Sequence, residues 1–127
     1  MQVEPGTASA RRRGGRPRAA AARPAAEVVV DPDRMGRKAK LAAAFLRAIA
    51  NEHRLLILCH LHRGETSVTE LEERLGLRQA HLSQHLARLR GDGLVRARRE
   101  SRSVHYSLGS REARLLVERL YELFCKA

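Results

Sequence analysis

The sequence has 127 residues, a length that suits one small domain and is too short for two. Lysine and arginine number 25 against 14 aspartate and glutamate residues, which gives a formal net charge of +11 at pH 7. A hydrophobic content of 43% excludes complete disorder, and an aromatic content of 3% argues against a large aromatic-lined substrate pocket. A chain this basic points first to nucleic acid as its partner.

The sequence carries no signal for a membrane or for export. Its uninterrupted apolar runs, such as residues 55–59, are far shorter than the ~20 residues that span a bilayer. No apolar secretory segment follows the basic N-terminus, and two cysteines are too few for the usual secreted disulfide framework. We therefore expect a cytoplasmic protein with no membrane partner, whose cysteines are thiols unless an oxidant acts on them.

Residues 1–34 differ in composition from the rest of the chain. They contain all four prolines, an arginine-rich run at residues 11–18 and an Ala/Pro stretch, and no apolar period runs through them. This composition predicts a disordered Arg/Ala/Pro-rich tail. Residues 15–18 (GRPR) resemble the core of an AT-hook, whose arginines enter narrow A·T minor grooves, although like-charged runs are more often solvated arms. Another interpretation is that translation begins at Met35, where the periodic part starts.

Residues 35–127 have the periodicity of a folded domain, beginning with two helices. Asn51 is a candidate N-cap for the second helix, which Gly64 ends. The face of the first helix consists of Leu41, Phe45, Ala48 and Ile49. The corresponding positions of the second helix are Leu55, Leu56, Leu58, Cys59 and His62.

The next segment has the pattern of two short helices joined by a tight turn. Ser67 and Glu70 form a capping-box pattern at the start of a third helix, which Gly76 ends. Leu77 then leads into a fourth helix over residues 79–90. The apolar face of that helix consists of Leu82, Leu86 and Leu89. Two helices in this arrangement are typical of a helix-turn-helix.

The final segment predicts a β-hairpin and a last helix. Apolar and charged residues alternate from Leu94, residues 103–108 also have extended character, and residues 100–102 form a basic tip between them. Ser110 is the N-cap of a helix whose apolar stripe is Ala113, Leu116, Val117, Leu120 and Phe124. The fold class is therefore mainly α with a small β-hairpin wing, a winged helix-turn-helix. The first and last helices have apolar residues to spare, so we expect a homodimer through them.

The fourth helix and the wing carry the candidate groups for double-stranded DNA. The major groove admits a helix, glutamine pairs with adenine edges, and arginine binds phosphate. Between residues 78 and 102 there are seven arginines against Asp92 and Glu100. Surface arginines often do no more than solubilise a domain, but here helix spacing, turn and basic wing coincide. The predicted DNA-binding residues are Arg78, Gln79, His81, Ser83, Gln84, His85, Arg88, Arg98, Arg99 and Arg102.

Four segments resemble the ArsR/SmtB family of winged-helix repressors. They are residues 50–55 (ANEHRL), 71–77 (LEERLGL), 82–86 (LSQHL) and 93–95 (GLV). The resemblance covers residues 40–127 and implies a homodimer that binds a palindromic operator and releases it when an inducer binds. One departure is Arg78, where the family usually has serine or a similar N-cap. Losing that cap costs ~1 kcal/mol at the start of the fourth helix, unless the arginine adds a phosphate contact.

The metal-binding patterns of that family are missing from this sequence. Residues 70–74 (ELEER) have no cysteine where one family site needs it, and the last helix begins with residues 110–112 (SRE) and no histidine. Cys59, His60 and His62 are at most a partial ligand set and are more often an ordinary helix face. We therefore expect no metal and no cofactor. We also expect no enzymatic activity, because there is no phosphate-cradling glycine loop, acid pair or nucleophile–base motif.

The two cysteines lie in segments that resemble the reactive-sulfur-sensing branch of the family, of the BigR and SqrR type, and the similar HlyU proteins. These segments are residues 56–59 (LILC) and 120–125 (LYELFC). The resemblance implies a repressor whose operator affinity falls when reactive sulfur species or an oxidant link Cys59 to Cys125. Two alternatives remain: a metal- or metalloid-responsive repressor, and a non-sensing DNA-binding or anti-silencing protein. A plain disulfide requires the last helix to end against the second, with the two Cα atoms within ~7 Å.

Overall fold

The computed structural model describes residues 28–126, which contain five helices and three short strands. The GRPR motif at residues 15–18 and most of the predicted tail lie outside the described residues. Residues 37–126 belong to one compact unit, which includes the helix-turn-helix and the wing.

Helix α1 spans Pro32–Ile49 and therefore begins before Met35, the expected start of the folded part. The carboxylate of Asp31 accepts a hydrogen bond from the backbone N–H of Asp33 at 3.0 Å, as an N-cap does. Proline suits the first helical position because its φ is already helical and its missing N–H would have no partner there. The last residues of the segment predicted as a tail thus belong to a helix.

Helix α2 spans Glu52–His62 and begins, as predicted, at the N-cap Asn51. The Asn51 side chain accepts a hydrogen bond from the backbone N–H of Arg54 at 3.0 Å. The helix buries Ile57, Leu58 and Leu61. Of these three, the periodicity had pointed only to Leu58, because the helix is buried on a wider face than a single stripe.

The side chain of Arg54 joins the start of α2 to the end of α1. Its Nε donates to the carbonyl of Ala48 at 2.6 Å, and its Nη2 donates to the carbonyl of Arg47 at 3.2 Å. Carbonyls in the last turn of a helix have no partner within the helix, so these bonds satisfy the end of α1. Ala48 and Ile49 are buried beside them.

The helix-turn-helix consists of α3 (Val68–Leu75) and α4 (Gln79–Gly91). Both hydrogen bonds of the predicted capping box, between Ser67 and Glu70, are present. Gly76 ends α3 in the left-handed conformation at φ 65°, which glycine adopts without steric cost. The helices meet the core through four buried leucines, which are Leu71, Leu82, Leu86 and Leu89.

The wing is part of a three-stranded antiparallel sheet. Strands β2 (Val95–Glu100) and β3 (Ser103–Leu108) form the predicted hairpin, and β1 (Thr66–Ser67) pairs with the other edge of β3. At the hairpin tip, Ser101 has a positive φ of 55°. Sequence analysis missed β1, because two residues have no recognisable period and form a strand only through pairing with β3.

Helix α5 spans Arg111–Phe124 and completes the fold. Ser110 is its N-cap, as predicted, and accepts a hydrogen bond from the backbone N–H of Ala113 at 3.0 Å. Ala113 and Val117 are buried in the common core, and α5 packs against α2. Cys125 follows immediately after the last helical residue.

Candidate nucleic-acid interface and cysteine site

Helix α4 exposes most of the residues predicted to contact base edges. Its buried leucines fix the orientation of the helix, and the opposite face is open to solvent. Amide, hydroxyl and imidazole groups on that face are suited to the donors and acceptors of the major groove. The exposed residues of the predicted set are Arg78, Gln79, His81, Ser83, Gln84 and Arg88.

His85 departs from the prediction that it faces outward. It is half-buried, and its ring centroid lies 5.7 Å from that of His53 on α2. Burial lowers the pKa of His85, and the positive charges of Arg54, His53 and His81 lower it further. The residue borders the apolar stripe of α4, so its neutral ring packs the joint between α2 and α4 instead of standing free for DNA.

Arg78 precedes α4 without capping it. Its backbone is extended, and its side chain makes no hydrogen bond to the first turn. This confirms the departure from a serine-like N-cap. The guanidinium is exposed at the positive end of the helix dipole, where a phosphate oxygen is favoured.

A groove of about 840 Å³ separates α3 and α4 from the wing. Gln79, Ser83 and Arg90 of α4 line one wall, and Arg102 and Ser103 of the wing line the other. Two guanidinium groups and several hydroxyls line this channel together with the carboxylate of Glu72, and guanidinium and hydroxyl groups are the usual ligands of a phosphate backbone. Sequence analysis missed Arg90, although its spacing of seven residues from Ser83 places both on one helix face.

The three wing arginines that were predicted to bind DNA are not equivalent. Arg99 and Arg102 are exposed, as predicted for contacts to flanking DNA. Arg98 instead donates two hydrogen bonds to the carboxylate of Glu65, at 3.0 and 2.8 Å, and one to Glu100 at 3.2 Å. These carboxylates raise the pKa of Arg98 and offset its charge, so Arg98 is a poorer phosphate ligand than the sequence suggested.

Cys59 and Cys125 are both free thiols: Cys59 lies on α2, and Cys125 directly follows α5, the helix that packs against α2. Cys59 is half-buried against the core, whereas Cys125 is exposed just beyond the end of α5. Burial raises the pKa of the Cys59 thiol, and the charge of Cys125 raises it further.

A cavity of about 670 Å³ opens beside Cys59 between α2 and α5. Its walls include His62 from α2 and Glu118, Tyr121 and Lys126 from the last helix and its end. The His62 Nε2 and the Glu118 Oε2 are 2.8 Å apart, so this pair bridges the two helices next to the thiol. A small molecule has room to approach Cys59 from this side.

The partial ligand set Cys59, His60 and His62 is not gathered into a metal centre. Within residues 28–126, no group of three or more His, Cys, Asp or Glu side chains is arranged to hold a metal ion. His62 is paired with Glu118, and the pKa of His60 is lowered by burial and by Arg74 and Arg63.

Within residues 28–126, no helix combines the length and apolar character needed to cross a bilayer.

Comparison with known proteins identifies the family. Residues 51–97 match the family described as "Bacterial regulatory protein, arsR family". The transcriptional activator HlyU of Vibrio cholerae is 50% identical over 93 residues, which cover 73% of this chain and 86% of HlyU. The crystal structure of the transcriptional repressor BigR from Xylella fastidiosa superposes with a TM-score of 0.73 at 37% identity, covering 77% of this chain and all of that one (100%).

A third relative has a described oligomeric state. A homodimeric winged helix-turn-helix DNA-binding domain from Mycobacterium bovis, studied in solution, matches with a TM-score of 0.63 at 30% identity and covers 72% of this chain and 84% of that one. The chain belongs to the ArsR family of DNA-binding transcriptional regulators, and its fold is the winged helix-turn-helix expected from its sequence.

The burial of His85 predicts a dependence of stability on pH. Because the pKa of folded His85 lies below the 6.5 of the unfolded chain, the unfolded chain binds more protons once the pH falls below that value. The contribution of His85 to the free energy of unfolding should therefore be greatest above pH 6.5 and decline below it. We expect His85→Gln to make this decline shallower in urea unfolding measured between about pH 5 and 8.

His81→Gln is the matched control, because it removes an exposed imidazole from the same helix. It should leave the pH profile of stability close to that of the wild type. A His85→Gln protein that loses stability as steeply as the wild type on acidification would show that His85 is not the group responsible.

Arg90 is predicted to contribute one phosphate contact. Arg90→Gln should weaken binding to all DNA sequences and reduce the slope of log affinity against log salt by about 0.9. Fluorescence anisotropy over a range of salt concentrations measures this slope, with a duplex that the reduced protein selects from a random pool. Arg114→Gln, which removes the same charge from α5, should change the slope far less. Equal slopes for Arg90→Gln and the wild type would exclude the contact.

Proposed function

We propose that this protein is a transcriptional repressor whose operator affinity falls when Cys59 and Cys125 become linked. Reactive sulfur species are the proposed inducers. The observation that carries this proposal is the placement of the two thiols on packed elements: Cys59 lines the α2–α5 cavity, and Cys125 directly follows α5, which packs against α2. Tyr121, Glu122 and Lys126, which surround Cys125 along the chain, line the same cavity as Cys59, and this supports an approach of the two thiols.

The inducer is also the oxidant that the linkage requires. Two thiols lose two protons and two electrons as one sulfur–sulfur bond forms, and a persulfide RSSH takes up both and is cleaved to RSH and H₂S. The thiolate is the reacting form. Because burial raises the pKa of Cys59, less of that thiol is ionised at neutral pH, and the linkage should form faster as the pH rises.

Linking the thiols would act on the DNA-binding surface through α2. This helix packs against α5 and also against α3 and α4. A bond that draws the end of α5 toward Cys59 would therefore shift the support of α4. Coupling between two sites of one protein typically changes affinity by about 5- to 150-fold, which is enough to release an operator.

Whether the protein represses or activates transcription belongs to the proposal, because its relatives differ in this respect. HlyU is named an activator and BigR a repressor. We favour repression because a bound winged helix blocks a promoter without any further partner, whereas anti-silencing requires a second DNA-binding protein to displace. The metal-sensing alternative has no arranged ligand set within residues 28–126 to support it.

The linkage is tested with the duplex selected by the reduced protein and with sodium tetrasulfide as the probe. Treatment should weaken DNA binding by about 5- to 150-fold, and reductant should restore it. Intact mass and peptide mapping should show Cys59 joined to Cys125, directly or through additional sulfur atoms. Cys59→Ser and Cys125→Ser should each bind DNA normally and fail to respond.

Three outcomes would contradict this function. Equal DNA affinity before and after treatment would remove the sensor, and so would a full response in either serine variant. Treated protein with its two cysteines unlinked would leave the thiols without a regulatory role.

We further propose that two copies of the chain pair through α1 and α5. Both helices expose large apolar side chains in the single subunit, including Leu41 at 69%, Leu123 at 65% and Phe124 at 80% exposure. A groove of about 540 Å³ between Phe45 and α5 runs beside them. The homodimeric relative from Mycobacterium bovis supports this arrangement.

Leu41→Glu should convert the dimer to a monomer, because a carboxylate would be buried without a partner in the interface. Sedimentation at a fixed protein concentration measures the mass. Lys40→Glu, which adds the same side chain at the neighbouring exposed position, should remain dimeric. A dimeric Leu41→Glu protein would place the interface elsewhere.

A further inference from the structure

A forked ion pair ties the wing to the chain segment that follows α2. The Nε and Nη2 of Arg98, on β2, donate to the two carboxylate oxygens of Glu65 at 3.0 and 2.8 Å. Two parallel bonds between guanidinium and carboxylate fix orientation as well as distance. The third bond, to Glu100 at 3.2 Å, holds the same guanidinium from the hairpin side.

The segment that carries Glu65 is itself held to the end of α2. The backbone N–H of Gly64 donates to the carbonyl of Leu61 at 3.0 Å, and the Thr66 hydroxyl donates to the carbonyl of Gly64 at 2.9 Å. Thr66 is only 4% exposed and pairs with Tyr106 of β3. Glu65 therefore follows any displacement of the last turn of α2.

That last turn of α2 also carries the cysteine site. Cys59 lies in it, and His62 bridges it to Glu118 of α5 at 2.8 Å. Only the end of α2 and Gly64 separate Cys59 from Glu65 along the chain. A bond formed at Cys59 thus acts on the same short piece of backbone that holds Arg98.

On the other side of the ion pair, Arg98 lies at the middle of the wing. It is paired with His105 of β3, and the strands beyond it lead to the exposed Arg99 and Arg102. A shift of Arg98 would change where these two arginines lie relative to α4. Arg98, which is engaged by two carboxylates, therefore positions the two wing arginines that are exposed to DNA.

We propose that Glu65 and Arg98 are positioning residues that couple the cysteine site to the wing. This proposal rests on the proposed linkage of Cys59 to Cys125. When the linkage moves the end of α2, the ion pair displaces the wing, and the wing loses part of its contact with DNA. The ion pair transmits part of the change in DNA affinity, and the packing of α2 against α4 transmits the remainder.

The expected size follows from the exposure of the pair. The side chains of Arg98 and Glu65 are 51% and 38% exposed, and ion pairs of this kind contribute modestly. Removing the pair should therefore lower the ratio of DNA affinities, reduced over linked, by about two- to fivefold. It should not abolish the response.

The experiment compares that ratio among variants of the full chain, with the selected duplex and tetrasulfide as probes. Glu65→Gln and Arg98→Gln should each lower the ratio. The triple variant with Glu65→Arg, Arg98→Glu and Glu100→Gln should restore most of it, because the ion pair with position 65 is rebuilt in reverse and position 100 no longer repels the carboxylate at position 98. Arg96→Gln is the matched control: it removes the same charge from an exposed position of the same strand that is in neither the ion pair nor the predicted DNA-binding set, and it should leave the ratio unchanged.

The outcomes separate the two proposals. A wild-type ratio of one overturns both the linkage function and the coupling. A wild-type ratio above one that Glu65→Gln and Arg98→Gln leave intact overturns only the coupling through the wing. A lowered ratio that the charge-reversed triple variant fails to restore shows that the effect is a general loss of wing order and overturns the role of the pair.

Discussion

The packing of α2 is the constraint on which the rest of the domain depends. Its buried residues Ile57, Leu58 and Leu61 form the centre of a core shared with α3, α4, α5 and β3. At its start, Arg54 holds the end of α1, and at its last turn it carries Cys59. Since protein interiors are densely packed, this helix cannot move at one end without moving the surfaces that it supports.

The helices were predictable because their boundaries depend on nearby residues. Asn51, Ser67 and Ser110 each cap a helix through hydrogen bonds to residues three positions away, so the signal is complete within one turn. Strand β1 was not predictable, because its two residues are held only by pairing with β3, far along the chain. The start of α1 was misplaced because proline was taken as a sign of a loop.

The DNA-binding surface was predicted less well than the fold, since charge along a sequence does not tell whether a side chain is available. Arg98 is occupied by Glu65, a residue 33 positions earlier that no local pattern connects to it. His85 is turned against His53 by the burial of the neighbouring leucines. Arg90, in contrast, faces the groove between helix and wing. Availability is set by tertiary contacts, which local periodicity does not contain.

The position of Cys125 explains how one bond could act on both halves of the proposed mechanism. It lies directly after Leu123 and Phe124, which are exposed in the single subunit and belong to the proposed dimer face. Cys59 lies on α2, which supports the recognition helix. A linkage between them therefore restrains the last turn of α5 and α2 together. An operator with two half-sites requires a fixed spacing of the two recognition helices. A small shift at this contact would change that spacing and so weaken the binding of both copies.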